Sequence, residues 1–290
     1  MRIIVCTKRD LAGALVLNQL MPHLAGDQVM VLLSDKTRPA EKSSAELAEM
    51  KFLERDLPVD TVFPLVDLVG GGEASLATFD GIAARYGAAV KTITDINGEA
   101  GVQLVKDFAP DLMVSIRFSL IFKRHVFSLP PLGTWNIHPG ALPHYAGLFA
   151  PFRAMLEGDD FIGCTLHKVD DGIDTGPIVG IGRLPIQPER SLLWHVMRAY
   201  APGIELFVEM VEGLRRGCPP MPQVQDTSDR EYVSMPAAEA FETFRRRGLR
   251  LYDPKEYMDV LKRFLPPGLA MPQLSAESQA LGASCCSARA

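Results

Sequence analysis

Apolar positions along this chain fall in short runs separated by amphipathic stretches. Ile3 to Cys6 and Val29 to Leu33 are unbroken apolar runs of strand length, as buried parallel strands require. Between them, Leu11 to Leu24 repeats apolar residues at helical spacing. Ser43 with Glu46 forms a capping box, and Leu47, Met50, Leu53 and Leu57 then share one helical face. Thr78 is the expected N-cap of a helix through Ile82 to Tyr86. Asn97 is the expected N-cap of Val102 to Phe108, with Pro110 just beyond its end. Leu112 to Ile116, Thr134 to His138, Ile162 to Val169 and Ile178 to Ile181 read as further strands. The alternation predicts an α/β fold with a mostly parallel sheet covered by helices on both faces.

Gly70-Gly71-Gly72 marks a loop within this unit, because the alternation resumes beyond it. A helix is expected from Ser191 to about Leu214, and Gly217-Cys218-Pro219-Pro220-Met221-Pro222 then breaks the chain. Two helices follow, near Ala237 to Arg247 and Pro254 to Phe264. The expected organisation is an α/β domain over residues 1–215, a small mixed or helical C-terminal segment over 216–267 and a flexible tail over 268–290.

Composition narrows the classes. The 290 residues suffice for one well-buried domain with an appendage, and 47% hydrophobic with 22% charged residues argues against wholesale disorder. A net charge of −5 offers no general basic face for nucleic acid. The opening apolar run is too short for a secretory signal and no 18-residue apolar stretch exists, so the chain reads as soluble and cytoplasmic. The five cysteines show no metal-ligand spacing; Cys6 and Cys164 lie in strands and read as core. The turn after the first strand, Thr7 to Gly13, lacks the glycine pattern that lets a backbone approach a pyrophosphate, which disfavours nicotinamide and flavin enzymes. Lys8 and Arg9 on that turn are either solvated charges or partners of an anionic substrate group.

Candidate chemistry sits in two stretches. In the strand Thr134 to His138, the period of two puts Asn136 and His138 on one face and Ile137 on the other. Pro139 and Gly140 stop the strand, which leaves both polar groups near its carboxyl end, where open α/β sheets bind ligands. The second stretch is the loop Asp170 to Pro177, in which Gly172 and Gly176 bracket Asp174 and relax its backbone. Alone, the first is a pair of satisfied strand-end groups and the second an acidic hairpin loop.

Together they resemble the 10-formyltetrahydrofolate-dependent formyltransferases. The resemblance rests on Asn136-Ile137-His138-Pro139, Leu142-Pro143 with Tyr145 and Gly147, Gly163 to His167, and Gly172-Ile173-Asp174-Thr175-Gly176. It is clear from about Asp111 to Ile186, and Gly140-Ala141 departs from the Ser and Leu of several members. It implies a Rossmann-like formyltransferase domain with Asn136, His138 and Asp174 as catalytic residues and 10-formyltetrahydrofolate as co-substrate. It further implies that Phe118, Ser119, Leu120, Ile121, Asp170, Asp171 and Gly172 contact the folate and that Arg117 and Tyr145 contact the acceptor, with Lys8 and Arg9 of the first turn as further candidates for its anionic group. The nearest resemblance is to the nucleotide-sugar N-formyltransferases, which implies a small-molecule amine and neither nucleic acid nor membrane as partner. A hydroxyornithine-type amine, methionyl-tRNA, a folate-binding protein without turnover and a metal-dependent hydrolase are the alternatives. His144 and His167 have no recognised metal spacing and are expected to be satisfied or solvent-facing, with no metal site.

Overall fold

The computed structural model describes residues 1–37, 39–70, 74–228 and 230–268. Strands β1 (Arg2–Lys8) and β2 (Gln28–Ser34) flank helix α1 (Leu11–Leu20). Along β1 the side chains alternate: Ile3 and Val5 join one apolar cluster, Ile4 and Cys6 the cluster on the opposite face. Asp10 caps α1, its Oδ1 accepting from the Gly13 amide at 2.8 Å. The expected helix to Leu24 finishes as a 3₁₀ turn, Met21–Leu24, where Pro22 enters.

Helix α2 (Ala45–Lys51) is capped by Ser44, not Ser43; the Ser43 hydroxyl instead donates to the Ala40 carbonyl. The helical run continues through π-helical turns, Phe52–Asp56 and Pro58–Val62, into α3 (Phe63–Val69). Pro58 has no N–H to give, and the wider turn accommodates its ring. Gly70 ends α3 in left-handed conformation; Gly71 and Gly72 lie outside the described residues. Helix α4 (Phe79–Tyr86) carries the expected Thr78 cap. Strand β3 (Ala89–Ile93) was not legible as a strand, because it is a sheet edge whose side chains are largely exposed. Helix α5 (Glu99–Phe108) begins after Gly98, and Asn97 does not cap it. Its amide instead accepts from the Lys123 N–H and donates to the Ile121 carbonyl, each at 2.8 Å, pinning the loop after β4 (Leu112–Ile116).

Next come α6 (Arg124–Phe127), β5 (Thr134–His138), the short β6 (Ala146–Gly147), α7 (Ala150–Glu157), β7 (Phe161–Lys168) and β8 (Ile178–Pro185). The seven-stranded sheet runs β3-β2-β1-β4-β5-β7-β8; its first four pairings are parallel, and β7 is antiparallel to both β5 and β8. This is a mostly parallel, Rossmann-like sheet with helices on both faces. The expected single helix from Ser191 is two, α8 (Leu192–Val196) and α9 (Ala201–Arg215). Pro202 suits only a first turn, so a new helix starts there.

Strand β9 (Tyr232–Val233) pairs in parallel with β6. Helices α10 (Ala238–Arg246) and α11 (Pro254–Leu261) feed the same cluster that α1 closes. Phe152 stacks on Phe244 at 4.8 Å and tilts against Phe241 at 5.0 Å, with Phe241 and Phe244 fully buried. Truncating either to Ala would cost about 3–5 kcal/mol. Among the described residues, no helix is long and apolar enough to cross a membrane. Residues 269–290 of the expected tail lie outside those described.

Candidate active site

The carboxyl ends of β1, β4 and β5 open onto one cavity of about 330 Å³, on the sheet edge where α/β folds bind ligands. An open cleft of about 490 Å³ beside β8 and α9, lined by Arg183, Arg198 and Glu205, holds none of the candidate triad.

Strand register assembles the reactive end. Asn136 on β5 stands opposite His167 on β7, so the two side chains share a face, and Asn136 Nδ2 lies 3.0 Å from His167 Nε2. His138 stands opposite Thr165, whose hydroxyl donates to the Gly140 carbonyl at 2.6 Å and accepts from the Leu142 amide at 3.1 Å. That pair fixes the Pro-Gly turn after β5. Asp174 reaches in from the loop between β7 and β8 and lies between two imidazoles: His138 Nδ1 is 3.7 Å from Oδ2, and His167 Nε2 is 3.7 Å from Oδ1. The Gly147 amide donates to Oδ2 at 2.9 Å.

Hydrogen-bond partners fix which ring nitrogen holds a proton. His138 Nε2 faces the Tyr145 carbonyl at 2.6 Å and must donate to it, which leaves Nδ1 as the nitrogen that faces Asp174. His167 Nδ1 faces the Lys168 carbonyl at 2.9 Å and donates there, so its Nε2 accepts from Asn136. One amide hydrogen of Asn136 is thereby spent, and the other is left for a ligand. Burial alone would raise the Asp174 carboxyl. The positive charge that the two facing rings carry when protonated, together with the Gly147 N–H, outweighs it and holds the group well below the usual carboxylate range. Asp174 is an anion at neutral pH. The 3.7 Å separations are too long for hydrogen bonds and leave room to tighten around a reacting group.

Asp174 itself takes the left-handed backbone, φ 55°, and not the glycines beside it. Gly172 and Gly176 serve close contact instead: a Cβ would lie 2.0 Å from the Thr175 hydroxyl and 1.8 Å from the Lys168 carbonyl respectively. At Gly140 a Cβ would lie 2.7 Å from His138 Nε2 and 2.6 Å from the Tyr145 carbonyl, inside the bond that sets the tautomer.

Asn136, His138 and Asp174 therefore meet. Phe118, Ser119, Leu120, Ile121, Asp170 and Gly172 line the same cavity. Asp171 does not: it is exposed, and the pairing with Arg124 on the surface holds it outside the cavity. Lys8 and Arg117 line the far end. Lys8 pairs with Glu41 at 3.2 Å; Arg117 is held by Asp10 at 2.7 Å and by Glu54, so its charge is already committed. Arg9 lies off the cavity, 3.5 Å from Asp35. The Tyr145 ring also points away, its hydroxyl donating to Asp159 at 2.5 Å; only its carbonyl reaches the site. His167, expected to be satisfied or solvent-facing, has a partner at each ring nitrogen and also lines the cavity beside Asn136 and Asp174. Its alternation with Thr165 on β7 was the available signal.

The family's sequence profile, described as formyl transferase, matches residues 1–211. The chain belongs to the formyl transferase family. Among curated relatives it is 30% identical over 136 residues to a methionyl-tRNA formyltransferase of Kosmotoga olearia, spanning 47% of this chain and 44% of that one. To the methionyl-tRNA formyltransferase of a Roseiflexus species it is 33% identical over 156 residues, spanning 53% and 48%. The chain thus spans about half the length of the curated relatives it matches. Two solved structures share the fold of this formyl transferase. One is glycinamide ribonucleotide transformylase 1 from Symbiobacterium toebii (TM-score 0.52, 18% identity, 78% of this chain and 94% of that one). The other is a sugar N-formyltransferase from a Shewanella species (TM-score 0.51, 17% identity, 93% and 90%).

Proposed function

We propose that this formyl transferase moves the formyl group of 10-formyltetrahydrofolate to the primary amine of a small molecule, with an amine on a nucleotide-linked sugar as the first acceptor to test. The observation that carries this reading is the convergence of Asn136, His138 and Asp174 on one cavity, with the ring nitrogen of His138 and one Asn136 hydrogen left uncommitted.

The folate supplies an N-formyl carbon as electrophile. Attack by the amine makes a new C–N bond and puts negative charge on the formyl oxygen. The free Asn136 N–H suits that charge, and such a donor contributes about a hundred- to a thousandfold in rate. The proton shed by the attacking nitrogen moves to His138 Nδ1. Asp174, an anion beside it, stabilises the resulting imidazolium until the proton passes to the departing folate nitrogen. The wall that Phe118 to Ile121 and the Asp170 loop form suits a reduced pterin. Phe118 and Phe122 stack at 5.3 Å, and the Ser119 hydroxyl is buried with no partner, a polar atom awaiting one.

Tyr232 and Met235 wall the cavity from beyond the family-matched region, which favours a compact acceptor. The test is a panel of amino sugars, nucleotide-linked amino sugars, hydroxyornithine and methionyl-tRNA with 10-formyltetrahydrofolate, scored by product mass. Formylation of methionyl-tRNA alone would move the acceptor to the class named for the curated relatives. No product with any amine, together with no binding of reduced folate, would overturn the proposal.

A further inference from the structure

Residues 223–228 and 230–235 follow the family-matched region and cross over the Asp174 loop. Gln223 exchanges both backbone hydrogen bonds with Ile178, each 2.8 Å, at the start of β8. The Gln225 side-chain amide then donates to two carbonyls of the catalytic loop, Asp174 at 3.2 Å and Gly176 at 2.5 Å. Arg230 donates to the Ile173 carbonyl. Farther on, the Val233 carbonyl accepts from the Leu148 amide at 2.8 Å, and β9 pairs with β6, which includes Gly147. The strap therefore grips both backbone segments that hold the Asp174 carboxylate: its own loop, and the glycine whose N–H it accepts.

Gln225 is placed at a cost. Its Oε1 is buried with no partner, so the amide stays for its two N–H bonds alone. An unpaired buried carbonyl loses solvation without return, and a group so placed calls for a reason beyond packing. The carbonyls it serves are that of Asp174 itself, a residue held in left-handed backbone, and that of Gly176 two residues on; such a conformation persists only where the surroundings enforce it.

We propose that Gln225 is a positioning residue for Asp174, fixing the loop so that the carboxylate stays between His138 and His167. This rests on the formyl-transfer reading only for its kinetic readout. A misplacement of about 1 Å costs up to about a hundredfold in turnover, so Gln225→Ala should lower kcat by about ten- to a hundredfold with the KM for the folate donor within about twofold. Gln225→Glu fills the same space but offers no N–H to the carbonyls at neutral pH. It should be impaired at least as much, whereas a packing role would let Glu restore the rate. A substrate-free readout accompanies both: the Asp174 carboxyl, followed by carbon NMR through a pH titration of the full chain, should titrate higher in each variant than in the parent. A parent chain inert toward every amine would sink the formyl-transfer reading while this titration still judges Gln225. Wild-type kcat in Gln225→Glu, or an unmoved Asp174 titration in both folded variants, would overturn the proposal.

Discussion

The two ends of the cavity hold charges in opposite ways. At the far end each cation has a close anion: Lys8 with Glu41, Arg117 with Asp10 and Glu54, and Arg55 with Asp35 at 2.8 Å. At the reactive end Asp174 stands 3.7 Å from each of two rings, close enough for charge to matter and too far for a hydrogen bond. Tight pairing spends charge on holding the structure; loose pairing leaves protons free to move. Burial pushes both carboxyls up: at Glu54 it prevails over the pull of Arg117, while at Asp174 the neighbouring rings and the Gly147 N–H prevail over it. One end is framework, and the other is the candidate for chemistry.

The contrast breaks most directly at His138 and Asp174. Replacing His138 by Asn, or Asp174 by Asn, should reduce kcat by about two to four orders of magnitude, measured by steady-state formylation, with circular dichroism unchanged. Near-normal single-turnover rates in folded variants would return both residues to the framework.

Arg117→Met tests the other end. It strands the fully buried Asp10, and removing one partner of a buried pair costs about 3–5 kcal/mol, read as a lower midpoint in urea unfolding. A variant as stable as the parent would show that Asp10 is satisfied by its helix cap alone.

Reduced folate should stabilise the protein by about 2.7 kcal/mol at a hundredfold excess over its Kd, seen as a higher Tm, while nicotinamide dinucleotides leave Tm unchanged. A melting curve indifferent to folate would detach the Phe118 to Ile121 wall from the reaction.

The smallest effect is the pH dependence of stability. Asp174 titrates lower folded than unfolded, so its contribution is complete above about pH 4 and is lost as pH falls through the folded value. The stability gap between the parent and Asp174→Asn should therefore narrow in acid, measured by urea unfolding at several pH values. A gap that widens in acid would mean the carboxylate is strained rather than stabilised by its neighbours.

Much of the site was legible because the information is local. A period of two placed Asn136 with His138, and the Pro-Gly stop placed both at the strand end. What escaped depends on pairing between distant segments. His167 joins the site only through the antiparallel register of β5 with β7, and Gln225 through a strap 51 residues beyond Asp174. Asn97 and Tyr145 were misread for a related reason: each has the composition of one role, a cap or a ligand contact, and a long-range partner assigns it another. Edge strand β3 escaped because exposure removes the apolar signature of a strand.

Gly140 carries a consequence for any mutational scan of this chain. It bears no side chain, makes no ion pair and has no chemistry of its own, yet a single methyl there would displace the Tyr145 carbonyl from His138 Nε2. The ring would then be free to exchange tautomers or turn over, and the nitrogen facing Asp174 would no longer be fixed. Loss of function at position 140 would thus look like the loss of a histidine proton, inherited from a backbone atom five residues farther along the chain.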